Sequence, residues 1–117
     1  MIKDDFIIAT GPRRSGKTTE LIKHVCKINR ENGRNVAVII CSNHAEACFI
    51  SKQAAEMGYE DMPFPILINA ITSGHLKGSI YKLGFVNDID RVLQSLMMPL
   101  ELRGFTYTLP NKEAENE

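Results

Sequence analysis

ATGPRRSGKTTE, residues 9–20, decides how this chain folds. Gly11 and Gly16 enclose four residues, and Lys17 and Thr18 follow at once. Before the stretch, residues 6–10 (FIIAT) form a short continuous apolar run, the pattern of a strand buried on both faces, which Gly11 and Pro12 stop. After it, Leu21, Ile22, Val25, Cys26 and Ile28 recur at helical spacing while Glu20, Lys23, Lys27 and Arg30 take the other side. Asn32 and Gly33 close that helix. A phosphate chain crowds negative charge onto neighbouring oxygens, and backbone N–H groups surround it only where the chain turns tightly without side chains in the way. Gly11 and Gly16 supply that freedom. The helix adds unpaired N–H groups and the positive end of its dipole. Lys17 is expected to reach the β and γ phosphates, and the Thr18 hydroxyl to be a ligand of Mg2+. Pro12, Arg13, Arg14, Ser15 and Thr19 complete the candidate phosphate-binding set, with Arg13 and Arg14 either touching phosphate or pointing into solvent.

Working outward, residues 36–41 (VAVIIC) are a second all-apolar run without alternation, which predicts a strand of a parallel sheet covered on both faces. Asn43 and Glu46 form a capping pair for a helix running to Met57 through Ala45, Cys48, Phe49 and Ala55, and Gly58 stops it. Pro63 and Pro65 lead into a third strand at 66–71, and a glycine-containing loop separates it from a fourth at 82–86. A short helix with Val92, Leu93, Leu96 and Met97 then runs to Pro99, and a last strand lies near 105–109. This alternation predicts a parallel α/β sheet of about five strands with right-handed crossovers. Residues 1–110 read as a single domain. The terminal NKEAENE, 111–117, is polar, acidic and without apolar anchors, and is read as a disordered tail.

The chain has 117 residues, enough for one domain with a core that needs neither disulfides nor structural metal. Its formal net charge is zero, so no global field draws it to nucleic acid or a membrane. Basic residues nevertheless gather in residues 1–34: Lys3, Arg13, Arg14, Lys17, Lys23, Lys27, Arg30 and Arg34. Part of that excess belongs to the glycine loop, and the helical part is either a solvated face or a track for nucleic acid. Three cysteines without C-x-x-C spacing argue against a disulfide framework or a zinc site and for reduced, buried thiols. Met97, Met98 and the aromatic residues read as core, and His24, His44 and His75 as surface or capping residues. No run approaches the roughly 18 apolar residues of a membrane helix, and the first residues lack a signal peptide's apolar region, so the expected location is the cytoplasm, that of a host cell if the chain is viral.

Gly11, Pro12, Arg13, Arg14, Ser15, Gly16, Lys17 and Thr18 resemble the Walker A motif of the P-loop NTPase superfamily. The resemblance covers most of the chain as an element order and is specific only at this loop. It implies a three-layer α/β sandwich with a mostly parallel sheet, binding of ATP or GTP with Mg2+, and often hydrolysis. Members usually carry a second motif, an apolar strand ending in Asp that holds Mg2+ through water, often followed by a Glu that polarises the attacking water. The candidate is LGFVNDID, residues 83–90, in two registers. With Asp88 as the Mg2+-holding residue, Ile89 follows and no general base stands in the expected place. In the preferred register Asn87 takes the Asp position, Asp88 the Glu position, and Asp90 opens the next helix as its N-cap. Asn is neutral and a weaker partner for hydrated Mg2+, and Asp is one methylene shorter than Glu. The candidate metal set is therefore Thr18, Asn87 and Asp88, and the candidate catalytic residues are Lys17 and Asp88. Thr106 and Thr108 resemble the polar residue beside the second motif that senses the γ phosphate in ATPases and helicases, although β propensity alone accounts for threonine in a strand.

Three functions follow from these resemblances. The leading one is a minimal ATPase core similar to those of helicases and AAA+ proteins, linked to nucleic-acid transactions, its turnover slow or controlled by a partner. In such families a neighbour's arginine often completes the site. Arg91 and Arg103 are either candidates for that role, in a homo-oligomer, or plain surface arginines. Compact proteins of this kind are familiar among bacteriophage products. The second is a module that clamps nucleotide without hydrolysis and presents a surface to DNA or to a protein, a reading that Asn87 and the small size favour. The third is a small nucleoside kinase, because SGKTTELI resembles the loop and first helix of thymidine kinases. The DEAQ-like motif and cysteine-bearing zinc and lasso region of those enzymes are missing from this sequence.

Overall fold

A computed structural model of the chain describes residues 16–74, 80–104 and 106. The elements run α1 (Lys17–Asn32), β1 (Ala37–Cys41), α2 (His44–Glu56), β2 (Ile66–Leu67), α3 (Ile68–Thr72), β3 (Leu83–Val86) and α4 (Ile89–Met97). The three strands form one parallel sheet in the order β2-β1-β3. The expected strands at 6–10 and 105–109 fall outside the described residues except for Thr106, as does the tail at 111–117.

β1 occupies the centre, with Ile40 opposite Ile66 on one side and Ile39 opposite Phe85 on the other. All five of its residues are buried, as its unalternating sequence requires of a strand with no wet face. Ala37, Ile39, Cys41 and Phe85 pack with Leu21, Ile22, Val25, Cys26 and Ile28 of α1 and with Ala47, Ile50 and Ala54 of α2. Val38 and Ile40 alternate to the other side. At β3 the ladder is tight: a methyl group on Gly84 would lie 2.7 Å from Ile40 Cδ1.

α1 has the predicted bounds and the predicted buried stripe. It ends where Gly33 turns left-handed at φ 69, so that the Gly33 and Arg34 N–H groups donate to the Arg30 and Asn29 carbonyls. Asn29, polar and unremarked in the apolar pattern, is only 6% exposed. Its Oδ1 accepts from the Val36 and Ala37 N–H groups at 2.9 and 2.8 Å, and its Nδ2 donates to the Ala37 carbonyl at 3.1 Å. The last turn of α1 is thereby fastened to the first residue of β1.

α2 begins after Asn43, whose side chain accepts from the Glu46 N–H at 2.9 Å, but its buried side differs from the expected one. Ala47, Ile50 and Ala54 face the core, while Ala45, Cys48, Phe49 and Ala55 are exposed. Two alanines at that spacing present a thin face that packs closely on the sheet. The third strand is likewise shorter than expected: after Leu67 the chain coils into α3, closed by the Ser73 N–H donating to the Asn69 carbonyl and by Gly74 at φ 82. The expectation of a buried Met98 and buried aromatics also fails in part. Phe85 is buried, but Phe49, Phe64 and Met98 are exposed. His24 is not a plain surface residue, since its ring meets Phe85 edge-on at 5.4 Å. Among the described residues no helix is long and apolar enough to cross a membrane.

All three cysteines are free, and only Cys26 and Cys41 meet the expectation of burial; Cys48 is exposed, with Sγ 3.3 Å from His44 Nε2. Burial pushes the Cys26 and Cys41 thiols up from 9.0 to about 11. Folding therefore favours their protonated form. Their contribution to stability is full below pH 9.0 and is lost as pH rises through about 11.

Two outcomes are expected. Asn29→Ala, which removes the side-chain acceptor shared by the Val36 and Ala37 N–H groups while Val36 keeps its bond to the Arg34 carbonyl, is expected to lower the unfolding free energy by about 2 kcal/mol in urea denaturation; a wild-type midpoint would remove Asn29 as the fastening. A thiol reagent at neutral pH is expected to modify Cys48 alone in the native protein, with Cys26 and Cys41 reacting only as it unfolds.

Candidate functional site

The carboxyl ends of parallel strands are where an α/β sheet opens toward ligands, because the helix amino termini point there. In this chain the ends of β1 and β3 meet the amino ends of α1 and α2. The Thr18 hydroxyl donates to Asn87 Oδ1 at 3.0 Å, Asn87 Nδ2 donates to Glu46 Oε2 at 2.9 Å, and Ser42 Oγ donates to Glu46 Oε1 at 3.0 Å. One polar chain thus joins α1, the residue after β3, α2 and the residue after β1. Asn87 is only 6% exposed, and its N–H donates to the Ile40 carbonyl at 2.8 Å, which continues the β1–β3 ladder by one bond.

Lys17 Nζ lies 3.6 Å from Asp88 Oδ1, each side chain about 30% exposed, a contact of modest energetic weight. Asp88 has a left-handed backbone, φ 52, and its carbonyl accepts from the Arg91 and Val92 N–H groups. It is therefore the N-cap residue of α4, although its carboxylate does not cap the helix. The assignment of Asp90 as N-cap is corrected accordingly: Asp90 lies in the first turn, because the chain has already turned into helix at Asp88.

Gly16 precedes α1 at φ 90, a conformation L side chains rarely adopt, and having no side chain it does not itself cap the first N–H groups of the helix. Thr19, expected among the phosphate contacts, uses its hydroxyl to accept from Gln53 Nε2 of α2 at 2.8 Å. Gly11, Pro12, Arg13, Arg14, Ser15, His75 and Thr108 lie outside the described residues. Thr106 is exposed, and no hydrogen bond among the described residues joins it to the site. Arg91 is exposed, and Arg103 pairs with Glu101 at 3.1 Å on the surface.

The structure thus brings Lys17, Thr18, Asn87 and Asp88 together. It adds Ser42 and Glu46, which the sequence reading did not place there. Their signal was positional, since polar residues directly beyond an all-apolar parallel strand stand at the ligand-facing edge of the sheet. Among the described residues no group of three or more His, Cys, Asp and Glu side chains is arranged to hold a metal ion by itself.

Thr18→Val leaves the buried Asn87 oxygen without its donor and is expected to lower the unfolding free energy by about 2 kcal/mol, while Thr18→Ser retains wild-type stability. Equal urea midpoints for Thr18→Val and wild type would show that the bond contributes nothing. In comparisons with family models, curated proteins and solved structures, nothing matches the chain.

Proposed function

We propose that this chain is a P-loop-type domain that binds ATP, or GTP, with Mg2+ at the carboxyl end of its sheet, and hydrolyses it slowly or under a partner's control. The observation that carries the reading is the placement of Lys17 and Thr18, at the start of α1, directly against Asn87 and Asp88. Strands at 6–10 and 105–109 would bring the sheet to the five of a three-layer P-loop sandwich, with 111–117 as a tail.

In this reading the N–H groups of α1 and the ammonium of Lys17 bind the phosphates. The oxygens of Thr18 and Asn87, 3.0 Å apart, are hard donors of the kind Mg2+ accepts alongside water and phosphate, so the donor set fits that ion. Bound Mg2+ would neutralise charge on the phosphate oxygens. Asp88 is the acid near enough to orient a water, but its carboxylate faces Lys17, so it serves the water only when Lys17 turns to phosphate. That sharing favours slow turnover.

A neutral residue at position 87 also supports the second reading, a module that holds nucleotide and presents a surface to DNA or a protein. Lys23 and Lys27 are exposed one turn apart on α1, and would be the nucleic-acid contacts. Arg30 lies on the same helical face but is engaged elsewhere. It pairs with Asp61 at 3.2 Å and lies over the Tyr59 ring at 4.7 Å.

The test combines a nucleotide-binding titration with phosphate release from ATP and from GTP, each with and without DNA. Lys17→Ala is expected to weaken binding by about 10- to 100-fold. Asp88→Asn, which suits the same left-handed backbone, is expected to keep binding and stability and to lower any turnover by about 100-fold. Binding unchanged in Lys17→Ala would overturn the proposal. Tight wild-type binding without turnover would select the non-hydrolysing module, and a DNA effect that fades with added salt would identify nucleic acid as its partner.

A further inference from the structure

We infer that Glu46 carries the negative charge of the proposed cation site and positions Asn87 within it, so that residue 46 on α2 and residue 87 after β3 together do the work of one carboxylate. The inference rests on the nucleotide and Mg2+ reading above and assigns a role to a residue which that reading leaves out.

An amide can face its surroundings either way round, and Asn87 is buried where the choice matters. A carboxylate has no proton to donate, so Glu46 Oε2, 2.9 Å away, accepts only from Asn87 Nδ2. With Nδ2 committed, Oδ1 turns to Thr18 and accepts its hydroxyl proton at 3.0 Å. With its proton given to Asn87, the Thr18 oxygen keeps its lone pairs for a cation, beside an Asn87 atom that is an oxygen and not a nitrogen. Reversing the amide would put an NH2 group there, which repels a cation. Glu46 is itself held, because its second oxygen accepts from Ser42 Oγ at 3.0 Å.

Charge follows the same path. Among the described residues Glu46 forms no ion pair, so its charge is not cancelled by a basic side chain there. A carboxylate accepting a hydrogen bond from an amide pushes electron density toward the amide oxygen, as acidic groups behind metal-binding histidines raise the basicity of the ring. A place in the first turn of α2 suits any acidic residue through the helix dipole. It does not account for the reach to Asn87. Asn43 already caps the helix by accepting the Glu46 N–H, while the Glu46 carboxylate turns to Ser42 and Asn87.

The arrangement has an unusual consequence for Asn87→Asp, the substitution that would install the acid of the P-loop motif. It sets two carboxylates within hydrogen-bonding distance, and they repel. Adding Glu46→Gln transposes the pair, with the glutamine amide donating to the new aspartate. The experiment compares wild type, Glu46→Gln, Asn87→Asp and the double variant, by thermal unfolding without nucleotide and by nucleotide titration with and without Mg2+.

Asn87→Asp is expected to lower Tm by on the order of 5 °C, and the double variant to recover it. Glu46→Gln is expected to weaken Mg2+ in the nucleotide complex by about 10-fold while Mg2+-free nucleotide affinity stays at the wild-type value. A merely structural Glu46 would not produce that split. The inference is overturned if Asn87→Asp keeps the wild-type Tm, if the double variant is no better than Asn87→Asp, or if Glu46→Gln retains wild-type Mg2+ dependence. A wild type that binds no nucleotide overturns the proposed function and the cation role together, whereas normal wild-type binding with unaltered Mg2+ dependence in Glu46→Gln overturns the cation role alone.

Discussion

A strand buried on both faces and paired on both edges has only its two ends left for polar contacts, and β1 is such a strand. Side chains from neighbouring elements meet it at each end. At the entry, Asn29 accepts the first N–H groups and so ties the end of α1 to the start of the sheet. At the exit, Ser42 and Glu46 begin the chain of hydrogen bonds that reaches Asn87 and Thr18. The helix that opens with Lys17 is therefore referenced to the same strand at both of its ends. Apolar packing of Ile22, Val25, Ile28, Ile39 and Ile50 supplies the bulk of the cohesion, but it is non-directional. The polar contacts at the two ends set where α1 stands along the sheet.

How much of this was legible in the sequence depends on the kind of signal. α1 was legible in full, because an amphipathic stripe and a C-terminal glycine are both local patterns. β1 and the amino cap of α2 were legible for the same reason. The buried face of α2 was not. Phe49 and Cys48 are more hydrophobic than the alanines that displaced them, and what selected Ala47 and Ala54 was the room available against the sheet, a property of the fold. The run at 66–71 misled in a related way. Its apolar residues suit a strand or a helix, and only Ile66 and Leu67 find a partner on β1 before the chain coils.

The candidate site divides along the same line. Lys17 and Thr18 announced themselves through a spacing that backbone mechanics explains, and Asn87 and Asp88 through the apolar strand before them. Glu46 carried a local signal as well, that of a helix cap, and this concealed the longer-range one. A residue that serves a cap through its N–H and a site through its carboxylate fits two patterns at once, and the nearer pattern is the one a linear reading finds.

The backbone at Asp88 gives its side chain a second meaning. A left-handed conformation at φ 52 is tolerated by glycine and, among residues with a side chain, most readily by asparagine and aspartate, whose short polar groups satisfy the local backbone. Glutamate has no such advantage. Judged by reach alone, an aspartate here is an acid one methylene too short. Judged by conformation, it is the one acidic side chain suited to a corner where only Asn87 and Asp88 separate a strand from a helix. Any lengthening of the carboxylate would have to begin by rebuilding that corner, so the reach of the acid and the geometry of the turn would have to change together.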